Sequence, residues 1–434
     1  METKHIFSHL KPTISIISIL FFLISTNVRP QVPEETIAFR QFSGKVVDAN
    51  SGEALIFATL SIEGTNISTI TNADGEFLLK VPDVNLNDKI TVSFIGYDRK
   101  IIPISQLEES RNLIKLAPSV TYLPEINIAM PKDAKSLVIA TLGKKGENYL
   151  NQDAIMTAFY RETIKKRNKN VSLAEAIVNI YKEPYTSGKK DNIELYKSRK
   201  NTDYSKLDTV ALKLQGGPFN PLYVDLVKYP EYVFSDDEIN QYIFSFSPST
   251  TINGRPVFVV NFKQSPNIEQ PLYYGKLFID SQTWALVSAI YNLNVENKTL
   301  AANLFVKKKP KDVFVYPTNA AYRIDYREKN GKWYYGYSNV QLTFKINRKK
   351  KWFNSVYSLS SEMAVTDWRL NTQGEVLKGK NRLRPSIIIS DEISGFSDPE
   401  FWGPYNVIEP EKSIESAINK IKRQLKRTEN SSKP

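Results

Sequence analysis

The sequence predicts a mainly β protein: a small N-terminal β-sandwich, then a large curved antiparallel sheet with a few covering helices. Three observations point there. The 434 residues include 23 Tyr and 22 Phe, a usage suited to pleated, half-buried surfaces. Short β-rich runs recur between turn signals from Phe42 onward. Beyond Tyr196 the runs lengthen and alternate apolar with polar residues.

The first segment stands outside the fold. Lys4 and Lys11 flank the start of the chain, Ile14–Ile24 is apolar, and the small polar Ser25 and Thr26 follow. That layout, over residues 1–30, is expected to be a secretory signal peptide cleaved between Ser25 and Gln31. The 11-residue apolar run is shorter than the ~20 residues a membrane span requires. No integral span is therefore expected after cleavage; an uncleaved anchor is the alternative.

Cysteine is absent, and the only histidines, His5 and His9, lie in that leader. The exported chain then has neither thiolate nor imidazole. This excludes cysteine nucleophiles, zinc–sulfur sites and His-based triads. Carboxylate or lysine chemistry and oxygen-ligated metals stay open, and no cofactor or metal is expected. Net charge is +12. Basic runs at Arg161–Lys169, Lys307–Lys311 and Arg348–Lys351 suit anionic head groups or acidic glycans, or are simply solvated strand ends. Nucleic acid is not expected to meet an exported protein.

Residues 40–129 carry the first folded unit. Val46-Val47, Ala58–Ile62, Phe77–Val81 and Ile90–Ile95 each end at a turn signal, a spacing typical of a sandwich. Asn72-Ala-Asp-Gly75 falls between two such runs. It reads as a hairpin turn in which Gly75 supplies a positive φ and Asp74 caps. A calcium loop would need more oxygen ligands and a bidentate Glu.

The segment "GKVVDANSGEALIFATLSIEGTN…TNADGEFLLKVP…ITVSFIGY", from Gly44 to about Leu116, resembles the carboxypeptidase-regulatory-like domain, a transthyretin-like β-sandwich. Ser68-Thr69 departs from the Gly-Thr common in that family. The resemblance implies a non-catalytic spacer or docking module. "GKLFIDSQTWALV" is similar to segments of the lipoprotein-carrier half-barrels, and the whole layout resembles bacterial envelope proteins that carry this first domain.

Residues 130–195 read as a mixed helical connector. Ala134, Leu137, Val138 and Leu142 have helical spacing, with an end near Gly143 or Gly146. Ala158–Ile164 reads as a strand, and Leu173–Tyr181 as a helix or a strand. Residues 196–427 read as the β-rich domain, and 428–434 as a disordered tail. Within it, Asn330-Gly331 predicts a primed two-residue turn pairing Tyr326 with Tyr335 and Ile324 with Tyr337. The apolar alternation changes face by Val340, which predicts a β-bulge near Gly336–Asn339. Ile414, Ala417, Ile418, Ile421 and Leu425 share one face of a closing helix.

The expected function is a non-catalytic exported envelope protein, periplasmic or outer-membrane-associated. It acts as a binding or scaffold module for an envelope protein, a lipid or a glycan. Phe401, Trp402 and Tyr405 are the candidate ligand-binding residues, as an aromatic platform for a sugar. The alternatives are a His-independent glycan hydrolase working through paired carboxylates and a structural, adhesin-like surface protein. The acidic clusters Asp236-Asp237-Glu238, Asp391-Glu392 and Asp398/Glu400 all lie in polar loops or turns.

Overall fold

Seven short strands build the N-terminal sandwich: β1 (Phe39–Asp48), β2 (Thr59–Ile62), β3 (Ser68–Ile70), β4 (Glu76–Pro82), β5 (Lys89–Ser93), β6 (Lys100–Pro103) and β7 (Asn112–Leu116). The computed structural model describes residues 38–119, 132–167, 169–202, 215–235, 237–307, 309–349, 354–377, 382–389 and 402–410. The expected leader, the closing helix at Ile414–Leu425 and the tail lie outside these residues. One sheet has the order β4-β1-β7 and the other β3-β2-β5-β6. Val46, Leu60, Phe77, Leu79, Val81, Ile90 and Val92 are fully buried in the core of the sandwich. Strand alternation divides β4 between two tasks. Phe77, Leu79 and Val81 enter this core, while Leu78 joins a different apolar cluster.

The Asn72–Gly75 turn corrects the hairpin expectation. It joins β3 to β4, which belong to different sheets, so the chain crosses the sandwich there. The cap is Asn72 rather than Asp74. Its Oδ1 accepts from the backbone N–H groups of Asp74 and Glu76, each at 2.9 Å. Asp-Gly announces a reversal, but a reversal does not say which sheet the next strand joins.

The second part begins with α1 (Ala134–Gly143) and α2 (Lys145–Asn148). Asp133 caps α1 by accepting from Ser136 N–H at 2.8 Å. Ten strands follow: β8 (Ala154–Lys166), β9 (Lys169–Lys182), β10 (Asn192–Thr202), β11 (Tyr242–Ile252), β12 (Arg255–Gln264), β13 (Tyr273–Asp280), β14 (Leu286–Leu293), β15 (Val313–Lys329), β16 (Lys332–Arg348) and β17 (Ser355–Leu370). Two short helices interrupt them, α3 (Phe219–Leu222) and α4 (Lys298–Phe305). The sheet order is β10-β9-β8-β17-β16-β15-β14-β13-β12-β11, with every described neighbour antiparallel.

The helical connector expected over 130–195 is therefore short. Among the described residues of that span, helix is confined to Ala134–Gly143 and Lys145–Asn148, and β8 and β9 lie inside the large sheet. Both are buried along most of their length on both faces. Such strands lose the two-residue alternation of a half-exposed strand, so their period could not be told from that of a buried helix.

The β15–β16 hairpin fits its expectation more closely. Asn330 and Gly331 have φ of 52° and 78°, the primed-turn geometry. Tyr326 pairs with Tyr335, and the register then shifts so that Gly336 is the extra residue. Ile324 consequently faces Ser338, and Tyr337 faces Asp325. The bulge falls where the change of face required it.

One face of the large sheet packs into the main core, which includes Tyr160, Val178, Ile324, Leu342, Phe344 and Met363. Residues of the 219–234 segment fill it, with Phe219, Leu222, Leu226, Val227 and Phe234 all buried there. Inside this core, Lys182 pairs with Asp191 at 2.8 Å and Asp225 at 3.0 Å. The hydroxyls of Tyr185 and Tyr326 donate to Asp225, and that of Tyr229 to Asp191. Burial alone would lower the Lys182 pKa, but the two carboxylates outweigh it and raise it.

Gly75 has φ 75°, and an added Cβ would stand 2.9 Å from the Val46 carbonyl oxygen and 2.9 Å from the Ala54 Cβ. Gly75→Ala is expected to cost about 1–3 kcal/mol through strain and crowding. A denaturant titration reads this as a lower midpoint at unchanged slope.

Candidate binding groove

The opposite face of the large sheet carries the chemistry, and strand register builds it row by row. Arg323, Asn339, Glu362, Arg161, Glu175 and Arg199 stand opposite one another on β15, β16, β17, β8, β9 and β10. Four of them form a charge ladder. Glu175, fully buried, receives Arg161 Nη2 at 2.7 Å and Arg199 Nε at 2.6 Å. Arg161 Nη1 reaches Glu362 Oε1 at 3.4 Å. Burial pushes the Glu175 carboxyl upward, but Arg161 and Arg199 together outweigh it and hold the pKa low.

Two residues along β16, β17, β8 and β9, the row turns apolar. Phe159, Ile177, Tyr337 and Ala364 form a patch with Ile70, Trp402, Val407 and Ile408, and Phe57 and Leu78 pack on it. This patch seats the sandwich. Polar contacts fix the seat: Arg327 Nη1 donates to the Val365 carbonyl at 2.7 Å and to the Ser68 hydroxyl. Asn66 Nδ2 donates to the Trp368 carbonyl at 2.5 Å.

Residues 402–410 lie between the two parts. The Asn406 carboxamide accepts from Lys80 N–H at 2.7 Å and donates to the Lys80 carbonyl at 3.2 Å, the pattern of a neighbouring strand. Arg161 Nη2 donates to the Ile408 carbonyl at 2.6 Å. Trp402 is 4% exposed; its ring meets Phe159 edge-on at 5.7 Å, and the Arg199 guanidinium lies 4.9 Å from its centroid. Tyr405 is half-buried, 5.2 Å from the Tyr196 ring. Phe401 lies outside the described residues, as do Asp236, Asp391, Glu392, Asp398 and Glu400. Burial, then Lys197, presses the Lys80 amine down to about 8.

In the other direction along β16, β17 and β8, the rows stay polar. Thr163 and Lys165 of β8, Gln341 and Thr343 of β16, and Ser358 and Ser360 of β17 line a groove of ≈ 330 Å³, with Arg161 and Glu362 at its inner end. Phe57, Asn72 and Ala73 of the sandwich also line it. The turn that caps itself with Asn72 Oδ1 thus contributes to the lining. Asn72 Nδ2 is buried and has no hydrogen-bond partner among the described residues. The two backbone N–H groups on Oδ1 fix the orientation of this carboxamide.

A third carboxylate sits just behind this face. Glu162, 2% exposed, faces the core and accepts from the Tyr160 hydroxyl at 2.9 Å. Burial pushes it up to about 7.

The sequence held part of this. In "FYRETIK" the alternate residues Phe159, Arg161, Thr163 and Lys165 already run from apolar through charged to polar. Arg161, read as the start of a solvated basic run, is instead buried, because Glu175 and Glu362 are brought opposite it by pairing. No local signal marks those partners.

Residues 42–128 match the family model described as a CarboxypepD_reg-like domain. The sandwich is a carboxypeptidase-regulatory-like domain. It contributes Phe57, Asn72 and Ala73 to the groove. No curated protein matches the chain. Among solved structures, the chain is similar to a domain from Vibrio parahaemolyticus assigned to outer membrane lipoprotein sorting, at 14% identity and TM-score 0.24, over 55% of this chain and 93% of that one. A DUF1329 family protein from Desulfovibrio piger is similar at 11% identity and TM-score 0.24, over 56% and 96%. A LolA superfamily protein from Nitrosomonas europaea is similar at 7% identity and TM-score 0.18, over 55% and 95%. Superposition this loose leaves the function to the chain's own residues.

Removing Arg161 leaves the buried Glu175 with Arg199 alone and takes the guanidinium away from Glu362. Arg161→Ala is expected to cost about 3–5 kcal/mol, against less than about 1 for Lys165→Ala, by chemical denaturation. Glu162 gives a pH signature. Its folded-state pKa is raised from 4.5 to about 7, so its contribution is full below 4.5 and is lost as pH rises through 7. Glu162→Gln is expected to stabilise the protein by about 3 kcal/mol at pH 8 and to leave it unchanged at pH 4, read from unfolding midpoints at both pH values.

Proposed function

We propose that this chain is a non-catalytic exported envelope protein that works as a binding module, and that its ligand is a glycan segment held in the polar groove. The Ile14–Ile24 leader supports export to the periplasm or outer membrane. Asn72 lines the groove, and its buried donor, without a partner among the described residues, carries the ligand reading. A buried donor without an acceptor costs about 1–3 kcal/mol, and a hydroxyl or acetamido oxygen of a sugar relieves that cost. The rest of the lining suits the same ligand: hydroxyls from Thr163, Thr343, Ser358 and Ser360, amides from Asn339 and Gln341, and an aromatic ring from Phe57.

An acyl chain fits less well. The apolar face of the sheet is packed with the protein's own Phe219, Leu222 and Leu226, which a lipid would have to displace. In this reading Trp402 serves the glycan indirectly, as the wedge that holds Arg161 and the groove's inner end in place.

Calorimetry with soluble oligosaccharides from envelope polysaccharides, beside a fluorescent fatty acid, tests the proposal. Glycan binding without fatty-acid uptake is expected. Asn72→Asp keeps the oxygen that caps the turn and removes the donor. It is expected to weaken glycan binding by roughly 5- to 100-fold with little change in thermal midpoint. Fatty-acid uptake with no glycan binding would overturn the reading.

A further inference from the structure

The three basic runs of the sequence lie far apart in the chain, yet strand pairing brings them to one end of the large sheet. Val313 at the start of β15 pairs with Arg348 at the end of β16, and Lys349 N–H donates to the Asp312 carbonyl at 3.1 Å. Lys345 pairs with Val356 at the start of β17, whose neighbour Tyr357 pairs with Lys166 at the end of β8. Lys166 pairs with Lys169 across the β8–β9 turn, and Arg167 N–H donates to the Val356 carbonyl at 2.9 Å. Five adjacent strands therefore present Lys309, Lys311, Arg348, Lys349, Lys166, Arg167 and Lys169 along one rim. At the usual inter-strand spacing that rim is ~20 Å long. Lys308, Lys350 and Lys351 extend two of the runs in sequence and lie outside the described residues.

At the β15–β16 end the acidic counterweight among the described residues is small. Asp312 is the one carboxylate among the described residues that line the β15–β16 end of the rim, a shallow groove of ≈ 320 Å³ shared with Lys309, Lys311, Phe314, Arg348 and Lys349. Lys309, Lys311, Arg167, Lys169 and Lys349 are exposed. Phe314 is 41% exposed, with its ring 5.3 Å from that of Tyr316. An exposed aromatic set among lysines at the end of a sheet is the composition of an interfacial anchor, where the ring enters the head-group layer and the cations meet phosphate.

We propose that this rim is a docking surface for an anionic lipid bilayer and holds the large sheet end-on against a membrane leaflet. The partner is a surface of phosphate head groups rather than a single lipid. The charges are spread over five strand ends instead of converging on one cavity, and the aromatic projects beside them. This goes beyond glycan binding and does not depend on it: Arg167 of the rim also lines the polar groove, but the cations substituted below do not.

Co-sedimentation of the full chain with phosphatidylglycerol/phosphatidylcholine vesicles and with pure phosphatidylcholine vesicles tests it. The neutral vesicles report what the Ile14–Ile24 leader contributes. Binding that depends on phosphatidylglycerol and is lost in 0.5 M salt is expected, since about 0.5 M salt shortens the screening length to a few ångströms. The triple variant Lys309→Gln/Lys311→Gln/Lys349→Gln is expected to bind anionic vesicles about 100-fold more weakly. Lys100→Gln/Lys115→Gln, two exposed cations on the sandwich, is expected to leave binding unchanged. Thermal midpoints confirm that both variants fold. Equal binding to neutral and anionic vesicles, or an unaffected triple variant, would overturn the proposal. So would tighter binding to soluble polygalacturonate than to anionic vesicles at matched charge, because the rim would then recognise acidic polymer rather than membrane.

Discussion

Arg161 is the side chain on which the architecture turns. It is 3% exposed, and its guanidinium is shared among Glu175, Glu362 and the carbonyls of Ile408 and Glu409. Those partners come from β9, β17 and the 402–410 segment, so one cation ties the sheet to the strip of chain that pairs with Lys80 of the sandwich. A buried ion set of this kind is weak evidence for stability, because desolvating the charges offsets much of their attraction. What it does enforce is register. Sliding β8 by one residue against β9 or β17 would pull that guanidinium away from Glu175 or Glu362, and a buried carboxylate that loses a charge-assisted contact is penalised more than a lost apolar contact.

The ladder also separates two surfaces of opposite character. On one side the apolar row seats the regulatory-like domain; on the other the hydroxyl and amide rows stay open and form the groove. The reverse face of the same strands has no such opening where the 219–234 segment packs, because Lys182, Asp191, Asp225 and three tyrosine hydroxyls hold that segment on the sheet. The protein therefore presents a polar groove where its two parts meet, and a basic rim at the strand ends beyond it.

Legibility in the sequence followed solvent exposure. The β15–β16 hairpin was readable to the bulge, because Asn330-Gly331 sets the turn and the change of apolar face demands an extra residue. The sandwich strands were readable because each ends at a turn signal. β8 and β9 were not, since burial on both faces removes the alternation that distinguishes strand from helix. The Asn72–Gly75 turn was recognised as a turn but assigned to a hairpin, and its role at the groove depends on the sandwich being docked.

The sequence by itself determined the β class, the regulatory-like domain, the loss of thiol and imidazole chemistry beyond residue 30, and the basic runs. These depend on composition and on neighbours within a few residues. Tertiary structure alone decided that Arg161 is buried, that Asn72 lines a groove, and that three basic runs share one rim. Each of those facts concerns residues tens to hundreds of positions apart, brought together by strand pairing, and local pattern carries no record of which strands will pair.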